Sequence, residues 1–316
     1  MELLSTRELR AYGMLGMNAR NLDFIGRYNA RSRYPLVDNK LRTKLLAEEY
    51  GLPVPRLLFS LKEQHDVEQA IERLDALDGF AMKPAKGAGG KGIWVVTGRR
   101  DEGYIKSSGL VVSRDDLRRH MSNTLAGLYS LGGSADAVVV EDLIQLHPHF
   151  DGLSVEGVPD IRVIVFRGYP VMAMLRLATY RSDGKANLHQ GAVGVGLALN
   201  SGRCVTAVQN ERAVTVHPDT GHALDTIAIP DWEAILNLAA QCYEMTELGY
   251  LGTDIVLDRD RGPMLLELNA RPGLSIQIAN NRGLLPRLRH VEGLRGDRGL
   301  DAQARVAYAM ETLSAL

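Results

Sequence analysis

Asp254, Glu267 and Asn269 are the residues whose types and spacing first suggest chemistry. They lie in two apolar runs on either side of a short polar turn that ends in Gly262, which is the pattern of a β-hairpin. A turn centred on residues 260–261 pairs Asp254 with Glu267. Asn269 shares the face of Glu267, because alternate residues of a strand point the same way. The sequence therefore predicts that three oxygen-bearing side chains converge on one face.

Two carboxylates directly opposite each other weaken a hairpin unless something compensates their charge. A divalent cation is the simplest compensation. Three oxygen ligands with open positions suit Mg²⁺ (or Mn²⁺), which keeps waters and shares phosphate oxygens with a nucleotide. We therefore predict a metal site at Asp254, Glu267 and Asn269. The alternative is that these polar side chains face water.

A glycine-rich loop forms the second candidate site. Gly87, Gly89 and Gly92 fit G-x-G-x-x-G, but a β pattern follows at residues 93–97, whereas a dinucleotide-binding fingerprint needs a helix there. Lys91 precedes a glycine rather than Ser or Thr, so a Walker A loop is excluded too. The pattern predicts a glycine hairpin whose backbone N–H groups approach phosphates and which closes over a nucleotide as a lid. The alternative is a solvated hairpin with ordinary surface lysines.

The elements that must position these residues are a mixture of helices and strands. Asp38 is expected to cap the first helix of the main body, and Ser113 a later one. Lys83 lies within an apolar strand, which is unusual for a surface lysine. The sequence predicts helices at residues 39–50, 66–77, from 113 to about 129, 231–248 and from about 302. It predicts strands at residues 57–59, 80–84, 93–97, 137–141, 161–167, 170–180 and 192–199.

Composition narrows the class of protein. The chain has 316 residues, of which 45% are hydrophobic and 24% charged, an ordinary globular profile. Its 37 Lys and Arg residues balance 38 Asp and Glu residues, which argues against a purely electrostatic nucleic-acid binder. The two cysteines lie far apart and imply no disulfide framework. Neither a signal peptide nor a membrane-spanning run is expected, so the sequence predicts a cytoplasmic protein that is not inserted in a membrane.

An arginine-rich stretch near the C-terminus is the remaining feature with a functional alternative. Because aromatic residues are absent from it, base stacking is not expected, and a solvated or oligomer-facing tail is predicted instead. The arginines concerned are Arg282, Arg287, Arg289, Arg295 and Arg298.

The motifs come in an order that resembles a known superfamily. They are Lys40 in D-N-K-L-R-T-K, Lys83-Pro84, the glycine hairpin, V-E-D-L-I at 140–144, D-I-R at 160–162, N-L-H-Q-G at 187–191, Asp254, and E-L-N at 267–269. The chain resembles the ATP-grasp superfamily over residues 37–280. Within it, the chain is most similar to the ribosomal-protein-modifying α-L-glutamate ligases and the α-L-glutamate ligase-like proteins related to them.

The resemblance implies roles for individual residues, with ATP and Mg²⁺ as cofactors. ATP-binding roles fall on Lys40, Lys83, Gly87, Gly89, Gly90, Lys91 and Gly92 at the phosphates, and on Glu141, Asp142, Leu143 and Ile144 as the hinge that reads the adenine edge. Arg162, Arg176 and Asn187 are expected to orient the acyl phosphate or the substrate carboxylate. Asp254, Glu267 and Asn269 hold the metal, and His189 is expected to be either structural or part of the substrate pocket.

The resemblance also implies an α+β fold in which two α+β subdomains clasp the nucleotide beneath the glycine lid. The expected divisions are an N-terminal arm at 1–36, an N-terminal grasp subdomain at 37–140, a C-terminal one at 141–290 and a helical tail at 291–316. Only about 36 residues precede the grasp, so no full domain is expected before it. The substrate site is therefore open, or is completed by the arm or by another chain.

The implied activity is ligation of a carboxylate to an amine through an acyl phosphate, adding an amino acid such as glutamate to a small molecule or peptide. The alternatives are a kinase on the same scaffold and a nucleotide-binding protein without turnover. The sequence leaves open a homo-oligomer, and the resemblance implies a membrane-protein partner.

Overall fold

The structure is a computed structural model that describes residues 6–87, 89–101, 103–295 and 299–316. The chain divides into two compact units. Unit 1 comprises Met1–Val37, Tyr50–Pro53 and Leu146–Leu316, and unit 2 comprises Asp38–Glu49 and Val54–Gln145. The candidate lysines and glycines belong to unit 2, whereas the candidate metal ligands and arginines belong to unit 1.

Each unit contains one antiparallel sheet. Unit 2 has strands β1 Leu57–Leu61, β2 Phe80–Pro84, β3 Trp94–Arg100, β4 Gly103–Lys106, β5 Val111–Val112 and β6 Val138–Glu141, in the order β1-β6-β2-β3-β4-β5. Unit 1 has strands β7 Asp160–Phe166, β8 Tyr169–Leu177, β9 Val193–Leu197, β10 Cys204–Gln209, β11 Arg212–Ala213, β12 Tyr250–Asp258 and β13 Gly262–Asn269. Their order is β11-β10-β9-β8-β7-β12-β13.

The helices lie at both ends of the chain and between the strands. They are α1 Thr6–Ala11, α2 Met17–Ala19, α3 Gly26–Tyr28, α4 Pro35–Asp38, α5 Lys40–Glu49, α6 Val67–Asp75, α7 Arg114–Leu125, α8 Trp232–Thr246, α9 Ser275–Ala279, α10 Leu285–Gly293 and α11 Ala302–Glu311. A π-helical turn occupies Arg20–Ile25. Among the residues that the structure describes, it has no helix whose length and apolar character would let it cross a membrane.

Unit 2 is organised by the apolar faces of α6 and α7. Val67, Ile71 and Leu74 recur at helical spacing and are buried together with the sheet residues Met82 and Val140. These contacts bury β2 and β6, and every residue of either strand is buried. Lys83 and Glu141 are therefore charged residues of buried strands, and each must find a partner there.

Two helix starts test the predicted caps. Ser113 caps α7 as expected, through a reciprocal capping box with Asp116. The prediction of Asp38 as the cap of α5 is wrong, because Asp38 ends the preceding helix α4. Asn39 takes the role instead, since its Oδ1 accepts a hydrogen bond from the Arg42 amide at 3.1 Å.

Unit 1 is built on the central strands of its sheet. All nine residues of β12 are buried, since it lies between β7 and β13 with α8 packed against it. β7 and β8 form the hairpin expected across Gly168. A charged side chain on β7, β8 or β12 is therefore held away from water unless it lies near a strand end.

The prediction of a solvated tail holds for only part of the basic C-terminal stretch. Leu285–Gly293 form α10, which buries Arg287, Leu288 and Val291, whereas Arg282, Arg289 and Arg295 are exposed. Arg287 is buried on α10, where its Nη1 donates to the Val171 carbonyl at 2.9 Å. Arg289 forms ion pairs with Asp23 and Glu292. These residues pack within unit 1. Arg298 lies outside the described residues.

Candidate functional site

The β12–β13 hairpin carries the first candidate site, and it contains the predicted pair. Asp254 pairs with Glu267, and the turn brings Asp258 opposite Gly262. A bulge after Asp254 shifts the pairing that follows. Asn269 pairs with Gly252 and lies two residues beyond Glu267 on the same strand. The sequence thus predicted the pairing of Asp254 with Glu267 but not the bulge, without which the pairs near the turn would leave the two residues out of register by one.

Asp254 is compensated by two arginines, one from the adjacent strand β7 and one from β8, the strand beyond it. Arg162 on β7 is its register partner and binds both carboxylate oxygens, with Nε–Oδ1 at 2.7 Å and Nη2–Oδ2 at 2.6 Å. Arg176 on β8 binds Asp160 in the same bidentate way, at 2.6 and 2.7 Å, and reaches Asp254 Oδ2 at 2.8 Å. We call these four residues the Asp–Arg cluster. It contains two negative and two positive charges.

Burial and neighbouring charges shift the pKa values of the two carboxyl groups of this cluster in opposite directions. Burial raises the pKa of Asp160 to about 6, because desolvation outweighs the attraction of Arg176 and the neighbouring Asp254 adds to the rise. Burial opposes ionisation of Asp254 as well, but Arg162 and Arg176 together bring its pKa down to about 2. Asp254 is therefore a carboxylate at neutral pH.

The donor set on the hairpin fits a hard divalent cation in type. Asp254, Glu267 and Asn269 all offer side-chain oxygen, the ligand that Mg²⁺ prefers. Asn269 Nδ2 lies 3.3 Å from Asp254 Oδ2, which brings two of the three side chains together. Oδ2 of Asp254 accepts three of the contacts described here and Oδ1 accepts one. Oδ1 is thus the atom with more room for a cation.

Asn187 and His189 lie in the loop between β8 and β9. Asn187 Oδ1 accepts a hydrogen bond from the His189 amide at 3.0 Å, so its side chain shapes the turn. His189 Nε2 lies 3.3 Å from the Ser275 hydroxyl. It lines a cavity of about 240 Å³ together with Ser275, Glu211 and apolar side chains. This cavity lies wholly within unit 1.

In unit 2, the carboxylate of Glu141 is buried between Lys83, which is expected to contact ATP, and Lys44, to which the sequence gave no role. Glu141 Oε2 accepts from Lys83 Nζ at 2.6 Å, and Glu141 Oε1 lies 3.2 Å from Lys44 Nζ. All three side chains are buried, and Lys44 also donates to the Pro55 carbonyl. We call Lys44, Lys83 and Glu141 the Lys–Glu cluster. It contains two lysines and one carboxylate.

The charged groups of the Lys–Glu cluster shift one another's pKa values. Desolvation disfavours ionised Glu141, but Lys83, and then Lys44, hold its pKa below the ordinary value. Burial lowers the pKa of Lys44, and the attraction of Glu141 offsets only part of that shift. A buried lysine that is only partly compensated attracts a further anion.

The glycine loop forms the predicted hairpin between β2 and β3, with Phe80 opposite Val96. Lys40 Nζ donates to the Gly87 carbonyl at 2.7 Å. Gly89 and Gly90 at the tip, and Gly92 on the return leg, have φ of +64°, +74° and +74°, a conformation that favours glycine. Lys91 is exposed beside them.

The proposed hinge continues from β6 as backbone without helix or strand. Asp142 forms a bidentate ion pair with Arg56, at 2.8 and 3.1 Å, which accounts for an acid at this position. Leu143 packs against Gly79, where an added Cβ would lie 2.6 Å from a Leu143 methyl group. Ile144 is half-buried. Asp142 therefore fixes the hinge through its side chain, while its amide bonds the Arg56 carbonyl.

Sequence reasoning gave no role to Lys44 and Asp160, although both belong to the clusters. Lys44 lies four residues after Lys40 on α5, so the two share a helix face. Asp160 lies two residues before Arg162 on β7, and the β7–β8 hairpin sets it opposite Arg176. Helix spacing and hairpin register were the signals that would have found them.

The fold and these sites define a class of protein. Two α+β units with antiparallel sheets form the ATP-grasp fold, as the sequence predicts. The chain belongs to the family of sugar-transfer associated ATP-grasp proteins, whose model matches residues 19–293. The narrower resemblance to the α-L-glutamate ligases stays a prediction. No curated protein sequence matches the chain.

Solved structures resemble the chain at low sequence identity. The ATP-grasp ligase PsnB complexed with minimal precursor is 17% identical with a TM-score of 0.44, over 89% of this chain and 62% of that one. D-alanyl-alanine synthetase A from Vibrio cholerae is 14% identical with a TM-score of 0.49, over 91% and 68%. D-alanine–D-alanine ligase from Bacillus anthracis complexed with ATP is 14% identical with a TM-score of 0.45, over 96% and 75%. The chain thus spans less than two thirds of the length of PsnB.

Proposed function

We propose that the chain is an ATP-dependent ligase that joins a carboxylate to an amine. The observation that carries the proposal is the Lys–Glu cluster, a buried site with more positive than negative charge, next to a glycine hairpin in a member of an ATP-grasp family. A polyanion such as a triphosphate supplies the charge that this site lacks. A glycine hairpin supplies backbone N–H groups that can approach phosphate oxygens closely.

Unit 2 binds ATP in this proposal. Lys40 and Lys83 contact the phosphates, and the loop of Gly87, Gly89, Gly90, Lys91 and Gly92 covers them. The segment Glu141, Asp142, Leu143 and Ile144 reads the adenine edge through its backbone, since a flat base edge is matched by peptide N–H and C=O groups. Lys44 also pairs with Glu141. Lys83 can therefore divide its hydrogen bonds between Glu141 and an incoming phosphate.

Unit 1 provides the groups for the metal and the acid. Asp254, Glu267 and Asn269 hold Mg²⁺ (or Mn²⁺), which neutralises charge on the transferring phosphoryl group when bound. Arg162, Arg176 and Asn187 orient the acid substrate. The guanidinium groups are suited to this role because they present paired N–H donors to carboxylate or phosphate. The Asp–Arg cluster holds these donors in fixed positions.

The reaction proceeds in two steps. An oxygen of the substrate carboxylate attacks the γ-phosphorus, the bond to the β-phosphate oxygen breaks, and ADP leaves with that electron pair. The amine nitrogen then attacks the acyl carbon, phosphate leaves, and the nitrogen loses a proton to give the amide. Water would hydrolyse the acyl phosphate, so the glycine hairpin must exclude it. Neither step needs a covalent protein nucleophile.

We propose a small molecule or peptide that carries both a carboxylate and an amine as the substrate class, with an amino acid such as glutamate as one of them. PsnB is described in complex with a precursor peptide and AMPPNP, which supports testing peptides. The family description associates its members with sugar transfer, which supports testing amino sugars and sugar acids. The Glu211 carboxylate in the cavity beside His189 suits an ammonium group.

The test is a screen for ADP release that depends on both substrates. The purified chain is incubated with MgATP and pairs of acids and amines. The pairs are drawn from amino acids, peptides, and amino sugars with sugar acids, and the products are analysed by mass spectrometry. A ligase gives amide plus free phosphate in equal amounts, whereas a kinase leaves the phosphate on the acceptor. Binding of ATP without any product in the presence of all pairs would contradict the ligase proposal.

Glu267→Gln provides the matched variant for this screen. It keeps the shape of the side chain but removes a proposed metal charge, so ADP release should fall by about a hundredfold or more, as expected for loss of a metal ligand. Glu233→Gln, an exposed position on α8, is the control and should retain full activity. Turnover of Glu267→Gln near the wild-type rate would remove Glu267 from the metal site.

A further inference from the structure

His120 is a buried histidine on α7 that the proposed chemistry does not use, and its ring is engaged on every side. Its Nε2 lies 3.0 Å from the Gly92 carbonyl, and its Nδ1 lies 3.2 Å from the Tyr129 hydroxyl. The ring stacks on Trp94 with centroids 4.1 Å apart and planes 20° from parallel. Gly92 lies on the return leg of the glycine hairpin, and Trp94 begins β3 just after it.

The hydrogen-bond partners fix the tautomer of His120. A carbonyl oxygen only accepts, so Nε2 must carry the proton and donate to Gly92. Nδ1 is then an acceptor, and the Tyr129 hydroxyl donates to it. Burial lowers the pKa of His120 to about 4, which agrees with a neutral ring that has one donor and one acceptor. The ring therefore links the hairpin to α7 and to the loop after it.

Gly92 is shaped to this contact. Its φ of +74° favours glycine, and an added Cβ would lie 2.6 Å from the Tyr129 ring and 2.8 Å from Pro84. Pinning the Gly92 carbonyl also fixes the plane of the peptide that joins it to the next residue. At the tip, by contrast, an added Cβ on Gly89 would meet nothing within 4 Å. The return leg is packed and the tip is open.

The outgoing leg is tied to the same loop. Gly87 forms an antiparallel bridge with Ser130, whose hydroxyl donates to Asp136 Oδ2 at 2.7 Å. The Lys86 amide donates to the carboxylate of Asp136 at 3.0 Å. Both legs of the hairpin are thus anchored on the segment from His120 to Asp136, which lies wholly in unit 2.

We propose that His120 is a positioning residue for the glycine hairpin: it holds the return leg through Gly92, so that only the tip moves when the hairpin covers the phosphates. The proposal deepens the function proposed above and rests on it for the role of the phosphates. The anchoring itself does not depend on that function. Losing the anchor should weaken nucleotide binding more than it slows turnover, because the hairpin then has more open conformations to lose on binding.

The experiment compares four proteins: wild type, His120→Leu, His120→Gln and His65→Gln. His120→Leu removes both hydrogen bonds, whereas the amide nitrogen of Gln can replace Nε2 as the donor to Gly92. His65 is an exposed histidine of unit 2 and serves as the matched control. Hydrogen exchange of the hairpin amides is measured without nucleotide, and ADP release is measured as a function of ATP concentration.

The proposal predicts that His120→Leu speeds exchange at residues 89–93 by about fivefold, the effect of losing one hydrogen bond, while the amides of β2 and β6 keep their protection. KM for ATP rises by a similar factor and kcat changes less than about twofold. His120→Gln recovers most of both effects, and His65→Gln matches wild type.

Unchanged exchange at residues 89–93 in His120→Leu would overturn the anchor. Faster exchange spread over the whole of unit 2 would also overturn it, because His120 would then be only a core residue. If wild type neither binds nor hydrolyses MgATP, the proposed function fails, and the exchange data in the free protein still decide whether His120 anchors the hairpin. A fall in kcat without a rise in KM would overturn the positioning role.

Discussion

The two units each contain a buried cluster of charges, and the clusters differ in their balance. The Asp–Arg cluster of unit 1 has two carboxylates and two guanidinium groups, joined by bidentate ion pairs. The Lys–Glu cluster of unit 2 has two ammonium groups and one carboxylate. The first satisfies its own charges. The second has one formal positive charge in excess, which a bound anion would neutralise.

The type of positively charged residue, arginine in unit 1 and lysine in unit 2, matches this difference. Arginine stays charged under all ordinary conditions and binds carboxylates through two parallel hydrogen bonds, so it suits a fixed framework. Lysine is a single point charge that can lose its proton when buried, and burial does lower the pKa of Lys44. The Lys–Glu cluster can therefore adjust to the presence or absence of a ligand. The arginines of the Asp–Arg cluster keep their charge whether or not a ligand is bound.

The largest expected effect is that of Asp254→Asn. This change removes one of two negative charges and leaves Arg162 and Arg176 to share Asp160. Because arginine cannot discharge, we expect the free energy of unfolding to fall by about 3–5 kcal/mol, the range for breaking a buried ion pair. Chemical denaturation at pH 7 measures this change.

Asp260→Asn is the control for that variant. Asp260 pairs with Arg259 in the exposed turn of the same hairpin, and solvent screens an exposed pair, so its loss should change stability little. Equal stability losses for the two variants would show that the Asp–Arg cluster is not a self-contained framework.

Glu141→Gln should have a smaller effect that depends on pH. It leaves Lys44 and Lys83 without a carboxylate, but a buried lysine can release its proton. We therefore expect a loss of about 2–3 kcal/mol at pH 7, below the range for the arginine cluster.

The sign of the pH dependence follows from linkage. In this variant the folded pKa of Lys44 falls still further below its unfolded value, so the unfolded chain binds more protons between those two values. The stability of Glu141→Gln should therefore rise as pH rises toward the unfolded value, relative to wild type. Denaturation series from pH 7 to about 10 test this, with exposed Glu63→Gln as control. A loss that is independent of pH would mean that Lys44 does not discharge.

Lys40→Ala should have the smallest effect on stability. Its ammonium donates to the Gly87 carbonyl in a contact that is only partly buried, so we expect a loss of about 1 kcal/mol. If Lys40 contacts the phosphates, ATP affinity should fall by about tenfold or more, because a charge-assisted hydrogen bond is lost. Calorimetric titration measures the affinity, with exposed Lys62→Ala as control. Unchanged affinity would assign Lys40 to the hairpin alone.

The sequence predicted the elements around both sites but not the partners of their charges. The register of Asp254 with Glu267 followed from strand alternation around a short turn, and the glycine hairpin followed from a loop between two β patterns. The compensation of Asp254 was assigned to a cation, whereas the structure adds two arginines from strands far away in sequence. The sequence correctly indicated that the charge of Asp254 needs compensation, but either a metal ion or arginine side chains can provide it.

Burial on α5 shows the same limit. Leu45 is apolar but 49% exposed, while the charged Lys44 next to it is 5% exposed. A helix of this composition has no dominant apolar face, and the sheet and Glu141 decide which side is covered. In the arginine stretch near the C-terminus, only Arg287 departs from the predicted exposure: it is buried, and its Nη1 donates to the Val171 carbonyl.

The sequence by itself determined most of the helices and strands around the two sites, the pairing of Asp254 with Glu267, and the types of ligand that each site could present. These depend on local spacing, and a short turn leaves few alternative pairings. Only the tertiary structure decided which charges meet, which lysine is buried and which carboxyl group stays ionised. Those properties depend on side chains brought together from distant strands and on the loss of water around them, and neither is written in any single stretch of the chain.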